Sequence, residues 1–523
     1  MKRTILLLVA LVLSLFSGVA VAQSATPPKI DCGSAKRPEV DLETYFATCR
    51  ARAAAARGRA GITAAGDTVE GTKSVWSQVN WSVVPTWSDA DILAQYPLQR
   101  DVRYMTGTNN PGVSRRISWM YPDDGCFARA EQFNAKVAAA GKTRPYKLFA
   151  FGSLRVYSSN SSETVTWGWH VVPVVRRTTG EVIVFDAALN PCRPINWKEW
   201  LSFMVDDVNV FNTAGSGFAI SLASPTAYGP FDLKNGEPSH EAESLVDQQT
   251  RFLNYEWDRQ VALGRDPNVV FGPNPLWSGY ACVQVDTKYH ELVNVNAGAT
   301  RSMTVSCPFA TLAVGGGHNV PGGFKVTKNI RNGNGWQVDV RNTTGSSASV
   351  NMTVNCLTGA PANAQISSIQ GNVVNVNANS FASSTASCNS GTLIAGGYTT
   401  TDASSVMRIY ANKRNSSTSS TWTASAQNTT GSSKSITAFA YCLPGTNFTF
   451  SQNSQQVDSS GLALVLTSPK KVTGGGYSFL RTSNYTPTWL AQFGADLYIV
   501  DLDGVPSGGD ANAFGYAQCL THP

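Results

Sequence analysis

Tyr121-Pro122-Asp123-Asp124-Gly125-Cys126-Phe127-Ala128-Arg129-Ala130 runs from a turn signal straight into a helical pattern. Asp123 or Asp124 can cap the helix, because a carboxylate oxygen accepts from the unpaired N–H groups of a first turn. Apolar residues recur at Cys126, Ala130, Phe133 and Val137, and Gly141 closes the helix. A cysteine in the first turn feels the positive end of the helix dipole, which favours thiolate over thiol. That is one route to a nucleophile. Taken alone, Cys126 reads more readily as a small buried helix residue or as half of a disulfide.

The chain opens with Met1-Lys2-Arg3, the apolar run Ile5 to Val21, and Ala20-Val21-Ala22. A basic start, a short apolar core and an A-x-A site predict a secretory signal peptide over residues 1–22, with Gln23 first in the mature chain. No later stretch is apolar and long enough to span a bilayer, so a secreted protein without a membrane span is expected. Ten cysteines in such a protein predict disulfides. With 523 residues the chain is too long for one core, and about three or four domains are expected. Charged residues make up only 15% and the net charge is +6. No Lys/Arg-rich run suited to a phosphate backbone stands out, which argues against nucleic acid as a partner.

Residues 23–79 are rich in Ala, Arg, Gly and Thr, with Cys32 and Cys49 close together. They read equally as a cleavable prosegment and as an exposed helix with its loop. Residues 80–235 mix α and β. Leu148 to Phe151, Val165 to Val175 and Val182 to Phe185 are strand-like runs between Gly, Ser and Asn breaks. A helical extension within 236–280 has Ser239 as its cap, Leu245, Phe252 and Leu253 as its apolar face, and Gly264 as its stop.

From about residue 280 charge thins and short alternating strands dominate. Cys307, Gly315-Gly316-Gly317, Trp336, Asn342-Thr343-Thr344-Gly345 and Cys356-Leu357 recur as Cys388, Gly396-Gly397, Trp422, Asn428-Thr429-Thr430-Gly431 and Cys442-Leu443. A third copy keeps Gly474-Gly475-Gly476, Trp489 and Cys519-Leu520. A period of roughly 80 residues suits one small β-sandwich per copy, over 281–358, 359–444 and 445–523. Pairing Cys307 with Cys356 and Cys388 with Cys442 would staple two copies, leaving Cys519 to meet Cys282.

A nucleophilic cysteine needs a base, and the chain has five histidines: His170, His240, His290, His318 and His522. None shows metal-ligand spacing, so no cofactor is expected. His170 lies in a strand, followed by Arg177-Thr178-Thr179-Gly180 and a second strand that ends at Asp186. If the loop centres near Thr178, residues whose numbers sum to about 356 face each other, and His170 opposes Asp186. A one-residue slip would turn Asp186 to the other face. A helix carrying Cys126 and packing on that sheet would complete Cys–His–Asp.

The segment Tyr121 to Ala130 resembles the nucleophile motif of bacterial secreted protein-glutaminases, also called protein-glutamine deamidases. Phe149-Ala150-Phe151-Gly152-Ser153-Leu154, Trp167-Gly168-Trp169-His170-Val171 and Val184-Phe185-Asp186-Ala187-Ala188-Leu189 resemble that family's following segments in order and spacing. The resemblance covers residues 80–235. It implies an α+β catalytic domain of transglutaminase/papain-like fold, with a Cys-bearing helix packed on an antiparallel sheet, ahead of the β repeats. It also implies an inhibitory prosegment, and Cys126 as nucleophile, His170 as base and acid, and Asp186 as orienter. Ala187 stands where the family more often has proline, and the family's disulfide pattern is largely absent, leaving Cys192 without an obvious partner.

The implied reaction is hydrolysis of glutamine side-chain amides in proteins or peptides, through a thioester, with release of ammonia. Rival readings are a transglutaminase, a cysteine peptidase, and a surface-binding or adhesive protein. The repeats could carry a glycan or protein ligand, and serve equally well as spacers.

Overall fold

The computed structural model describes residues 74–521, apart from 159, 161–163, 226, 228–244, 279–281, 290–292, 361–363, 402–406, 445–447, 459, 467–470, 480–485, 494–496, 504 and 506–511. The expected signal peptide, the prosegment up to residue 73, Cys32, Cys49, Ser239, His240, His290 and His522 lie outside the described residues.

The first region is one sheet between layers of helix. In chain order it has β1 (Thr86–Trp87), α1 (Asp89–Asp101), a small hairpin of β2 (Met105–Thr106) and β3 (Ser114–Arg115), and α2 (Cys126–Ala139). Then come β4 (Tyr146–Tyr157), β5 (Thr164–Arg177), β6 (Val182–Val184), β7 (Ile195–Asn196), α3 (Trp197–Ser202) and β8 (Ala219–Ala223). The sheet order is β7-β6-β5-β4-β8, antiparallel throughout, with β1 joining β5 in parallel. Ser74 exchanges backbone hydrogen bonds of 2.9 and 3.0 Å with Ile220, so the chain has joined this sheet by residue 74.

Helix α2 forms where the pattern predicts it. Cys126, Ala130, Phe133 and Val137 are all buried, and Gly141 follows with φ 75°. Phe133 stacks on Phe185 at 4.8 Å, just past β6. Fully burying such a side chain contributes about 1.5–3 kcal/mol, more than any helix propensity within α2. The opposite face of the sheet buries Leu148, Val172, Val174, Val184 and Trp200. Two further helices, α4 (Leu245–Ala262) and α5 (Pro267–Val270), pack beside α2. Gly264 ends α4 with φ 71°.

The repeats follow. The first supplies β9 (Gln284–Tyr289), β10 (Val293–Val295), β11 (Thr300–Ser306), β12 (Leu312–Asn319), β13 (Phe324–Asn332), β14 (Gly335–Asn342) and β15 (Ala348–Thr358). The second supplies β16 (Ser367–Gln370), β17 (Val374–Val376), β18 (Phe381–Ser387), β19 (Thr392–Thr400), β20 (Met407–Arg414), β21 (Thr421–Asn428) and β22 (Lys434–Leu443). The third supplies β23 (Thr449–Gln456), β24 (Leu462–Leu466), β25 (Lys471–Ser478), β26 (Thr486–Phe493), β27 (Leu497–Asp503) and β28 (Phe514–Thr521).

One sandwich per copy is not what forms. Three sheets form instead, each from halves of two repeats: β10-β15-β12-β26-β27-β24, β11-β14-β13-β19-β22-β16, and β18-β21-β20-β25-β28-β23. The joins are β12 with β26, β13 with β19 and β20 with β25. The copies therefore close a ring about a pseudo-threefold axis. Glycine makes the joins possible. A Cβ on Gly397 would lie 2.0 Å from Asn329 O, and one on Gly476 would lie 1.9 Å from Asn412 O. Trp336 and Trp422 cover Gly316 and Gly396, and Tyr498 covers Gly475 in the same way. Trp489 is thus not the counterpart of those tryptophans, because it sits on the preceding strand, β26.

Disulfides Cys307–Cys356 and Cys388–Cys442 form as expected. The expected Cys282–Cys519 bridge does not. Cys282 pairs with Cys192, tying the first region to the start of the repeats, while Cys519 is buried on β28 and joins no disulfide among the described residues. No helix among the described residues is long and apolar enough to cross a membrane.

Candidate active site

Cys126 is the first residue of α2. The N-cap is Gly125, left-handed at φ 79° and without a side-chain cap bond. Neither aspartate caps the helix, contrary to the sequence expectation. Asp124 Oδ1 accepts from Gly125 N–H at 2.6 Å, too early to serve the first turn. Asp123 points inward and pairs with Arg259 of α4. Position 125 needs glycine twice over: for its φ, and because a Cβ would lie 2.7 Å from the Phe252 ring. Buried Arg129, one turn on, donates through Nη1 to Tyr121 O at 2.8 Å and Asp124 O at 2.6 Å, pinning the turn that delivers the cysteine.

His170 and Asp186 do meet, by a different route from the one expected. The ladder pairs Val174 with Val184 and Arg176 with Val182, so the loop centres on Thr179. The shift equals two residues along the opposing strand, which keeps Asp186 on the same face. Strand β6 has ended at Val184, and Asp186 reaches back with Oδ2 at 2.8 Å from His170 Nε2. Trp200 Nε1 donates to the same oxygen at 3.0 Å, and Ala188 N–H donates to Oδ1 at 3.2 Å. Trp167 stacks on the imidazole at 4.6 Å, and Trp200 packs at 5.7 Å. Burial opposes ionisation of Asp186. The His170 imidazole bonded to it, with Arg129 and Trp200 behind, holds the carboxyl below its usual range.

The early end of β6 also places the thiol. Phe185 N–H donates to Pro173 O on the β6 side of β5. Backbone groups alternate along a strand, so Val171 N–H points the same way, where no strand continues. Cys126 Sγ lies near enough to that N–H to be influenced by it. The sulfur thus lies against the residue next to His170, and His170 Nδ1 has no partner among the described residues. Cys126 is 6% exposed, among Phe127, Phe149, Val171 and Phe252. Burial pushes its thiol up to about 12, against the pull of Arg129 and the Val171 N–H. The helix-start position therefore does not make a resting thiolate; deprotonation needs a base.

Residues 98–204 match the glutaminase family model Gln_deamidase_2.

The matched segment runs from late α1 to just past α3 and contains Cys126, His170, Asp186 and Trp200. Three solved structures are similar in part. A protein-glutaminase is 19% identical, with 33% of this chain and 89% of that one covered and a TM-score of 0.25. The protein-glutaminase from Chryseobacterium proteolyticum is 19% identical, with 32% and 83% covered and a TM-score of 0.22. A pro-protein-glutaminase is 21% identical, with 28% of this chain covered and a TM-score of 0.21; this chain spans 50% of its length. TM-scores of this size carry no weight for fold or function. No curated protein matches the chain.

Several participants gave no sequence signal. Trp200 reaches Asp186 only because α3 crosses the sheet, and nothing in Asn196-Trp197-Lys198-Glu199-Trp200 marks it locally. Phe252 and Arg259 arrive from α4, more than a hundred residues downstream of the turn they hold.

Proposed function

We propose that this chain is a secreted protein-glutamine deamidase. Cys126 is the nucleophile, His170 the base and acid, and Asp186 the orienter. The observation that carries the reading is the His170–Asp186 hydrogen bond at the open edge of β5 where Cys126 Sγ rests, all within the glutaminase-matching segment. Three disulfides favour an oxidising compartment and hence export.

With Asp186 ionised, His170 carries its proton on Nε2 and offers Nδ1 as the lone pair. Nδ1 takes the thiol proton as Sγ attacks the carboxamide carbon of a substrate glutamine. Backbone N–H groups at the start of α2, including that of Cys126, hold the oxyanion. The imidazolium then protonates the leaving ammonia. Water, deprotonated by His170, hydrolyses the thioester to glutamate and frees the thiol. Water as acceptor distinguishes this reaction from a transglutaminase. Residues 23 to about 73, ahead of the point where Ser74 joins the sheet, act as the inhibitory prosegment.

The test is ammonia release from casein or a blocked glutamine dipeptide, read beside mass spectrometry. The expected result is ammonia, a gain of about one dalton per site and no chain cleavage, abolished in Cys126→Ala. Peptide fragments without ammonia would assign a peptidase, and Gln–Lys crosslinks a transglutaminase. Full activity from uncleaved protein lacking only its signal peptide would remove the prosegment's role.

A further inference from the structure

Residues three apart on a regular strand face opposite sides of the sheet. Trp167 and His170 are three apart on β5, yet their rings lie face to face, with centroids 4.6 Å apart and planes turned by only 8°. A bulge is the cause. The ladder pairs Phe151 with Trp169 and then Leu154 with Trp167, so β4 carries one residue more than β5 across this stretch. Leu148, Ala150, Leu154 and Val156 of β4 all join one core. On β5 the residues of that core are Val174 and Val172, then Trp167 and Val165, so the strand changes face at His170. Gly152 lies in the bulge at φ 138°, where a Cβ would meet the Phe218 ring at 2.3 Å.

The same indole reaches the nucleophile's turn. Trp167 Nε1 donates to Asp123 O at 3.0 Å, three residues before Cys126. Trp167 is buried, so water does not compete for either contact. Stacking also has an electrical consequence. An aromatic ring is negative over its face, and it attracts a cation held within about 6 Å of its centroid. Tryptophan does so most strongly, and more where water is excluded. As His170 acts as base, the S–H bond of Cys126 breaks and an Nδ1–H bond forms. Sulfur keeps the electron pair, and the positive charge appears on the ring that Trp167 covers. Asp186 meets that charge in the plane of the imidazole, through Nε2. Trp167 meets it over the face.

We propose that Trp167 is a positioning residue acting through His170. Its face stabilises the imidazolium formed as Cys126 loses its proton, and its N–H keeps that ring in register with the Cys126 turn. The inference rests on the reading of His170 as the base for Cys126.

Fluorinated tryptophans at position 167, introduced into the full chain by stop-codon suppression, test it. Fluorine withdraws electron density from the face and makes the N–H a stronger donor, so the two contacts respond with opposite sign. Turnover in ammonia release from a blocked glutamine dipeptide should fall stepwise from the mono- to the tetrafluoro ring, by about two- to thirtyfold in all, with KM and melting temperature unchanged. Alkylation of Cys126 by iodoacetamide at pH 7.5 should slow in the same order, and His170→Gln should flatten that series. Should the tetrafluoro protein fail to fold, the nearly isosteric mono- and difluoro rings carry the comparison. Alkylation needs no glutamine: a graded alkylation rate without ammonia release would support the role of Trp167 and remove the deamidase reading. Ammonia release that stays flat across the series would do the reverse. A rate that rises with fluorination would leave Trp167 as a tether alone and overturn the proposal.

Discussion

Burial sets the chemistry of Cys126. The helix dipole alone is worth ~0.3–1 kcal/mol near a surface, too little to offset removal of the thiolate from water. With the thiol pushed up to about 12, the resting protein holds Cys126 protonated. Iodoacetamide should therefore modify Cys126 at pH 7.5 at least about tenfold more slowly in the native protein than in guanidinium-unfolded chains. The native rate should climb as pH rises above about 10, since thiolate appears only as pH nears the raised value. Peptide mass spectrometry of the alkylated Cys126 reads both, and fast labelling at pH 6 would point instead to a thiolate–imidazolium pair. Asp186 acts on the imidazole, so Asp186→Asn should lower the rate of ammonia release by ~10²–10⁴-fold with little change in KM, because the amide favours the wrong tautomer.

At the scale of the element, α2 is aimed by what precedes it. Gly125 takes a left-handed φ under the Phe252 ring, and Arg129 clamps the carbonyls of the turn. Gly125→Ala should cost about 1–3 kcal/mol in stability. Ammonia release should fall further than that loss of fold accounts for, because the helix start shifts. Urea melts read beside initial rates separate the two effects, and an unchanged rate in a folded variant would count against this aim. Helix α2, strands β4 to β6 and the stop of α4 at Gly264 were legible in the sequence, since each rests on periodicity and a local turn residue. The cap was not, because Asp123 is drawn inward by Arg259 of α4, a partner distant in sequence.

Across the whole molecule, the repeats depend on each other. Every sheet of the C-terminal half takes strands from two copies, so no copy closes its own core. A chain ending at Pro444 loses β23 to β28. It leaves β12 and β20 without a neighbour on one side, one edge in each of two sheets. Such edges template aggregation. The truncated protein should be insoluble or lack a cooperative thermal transition, and limited proteolysis of the intact protein should not release single repeats. A monomeric, sharply melting two-repeat product would refute this interdependence. Gly316, Gly396 and Gly475 lie under aromatic rings, so alanine at any of them forces two side chains into one space.

The sequence by itself determined the local pieces: the Cys126 helix, the strands that follow it, two of the three observed disulfides and the threefold repetition. Each is written in residues within one element or one period, where spacing and turn chemistry act. It also named Cys126, His170 and Asp186. Tertiary structure alone decided how His170 and Asp186 meet, because the contact arises where β6 stops rather than within its ladder. It alone decided that Cys126 is buried and protonated, because desolvation depends on rings supplied by distant segments. It paired Cys282 with Cys192 in place of Cys519, and it joined three copies into one ring, because pairing across a gap of sixty-five or more residues leaves no trace in local spacing.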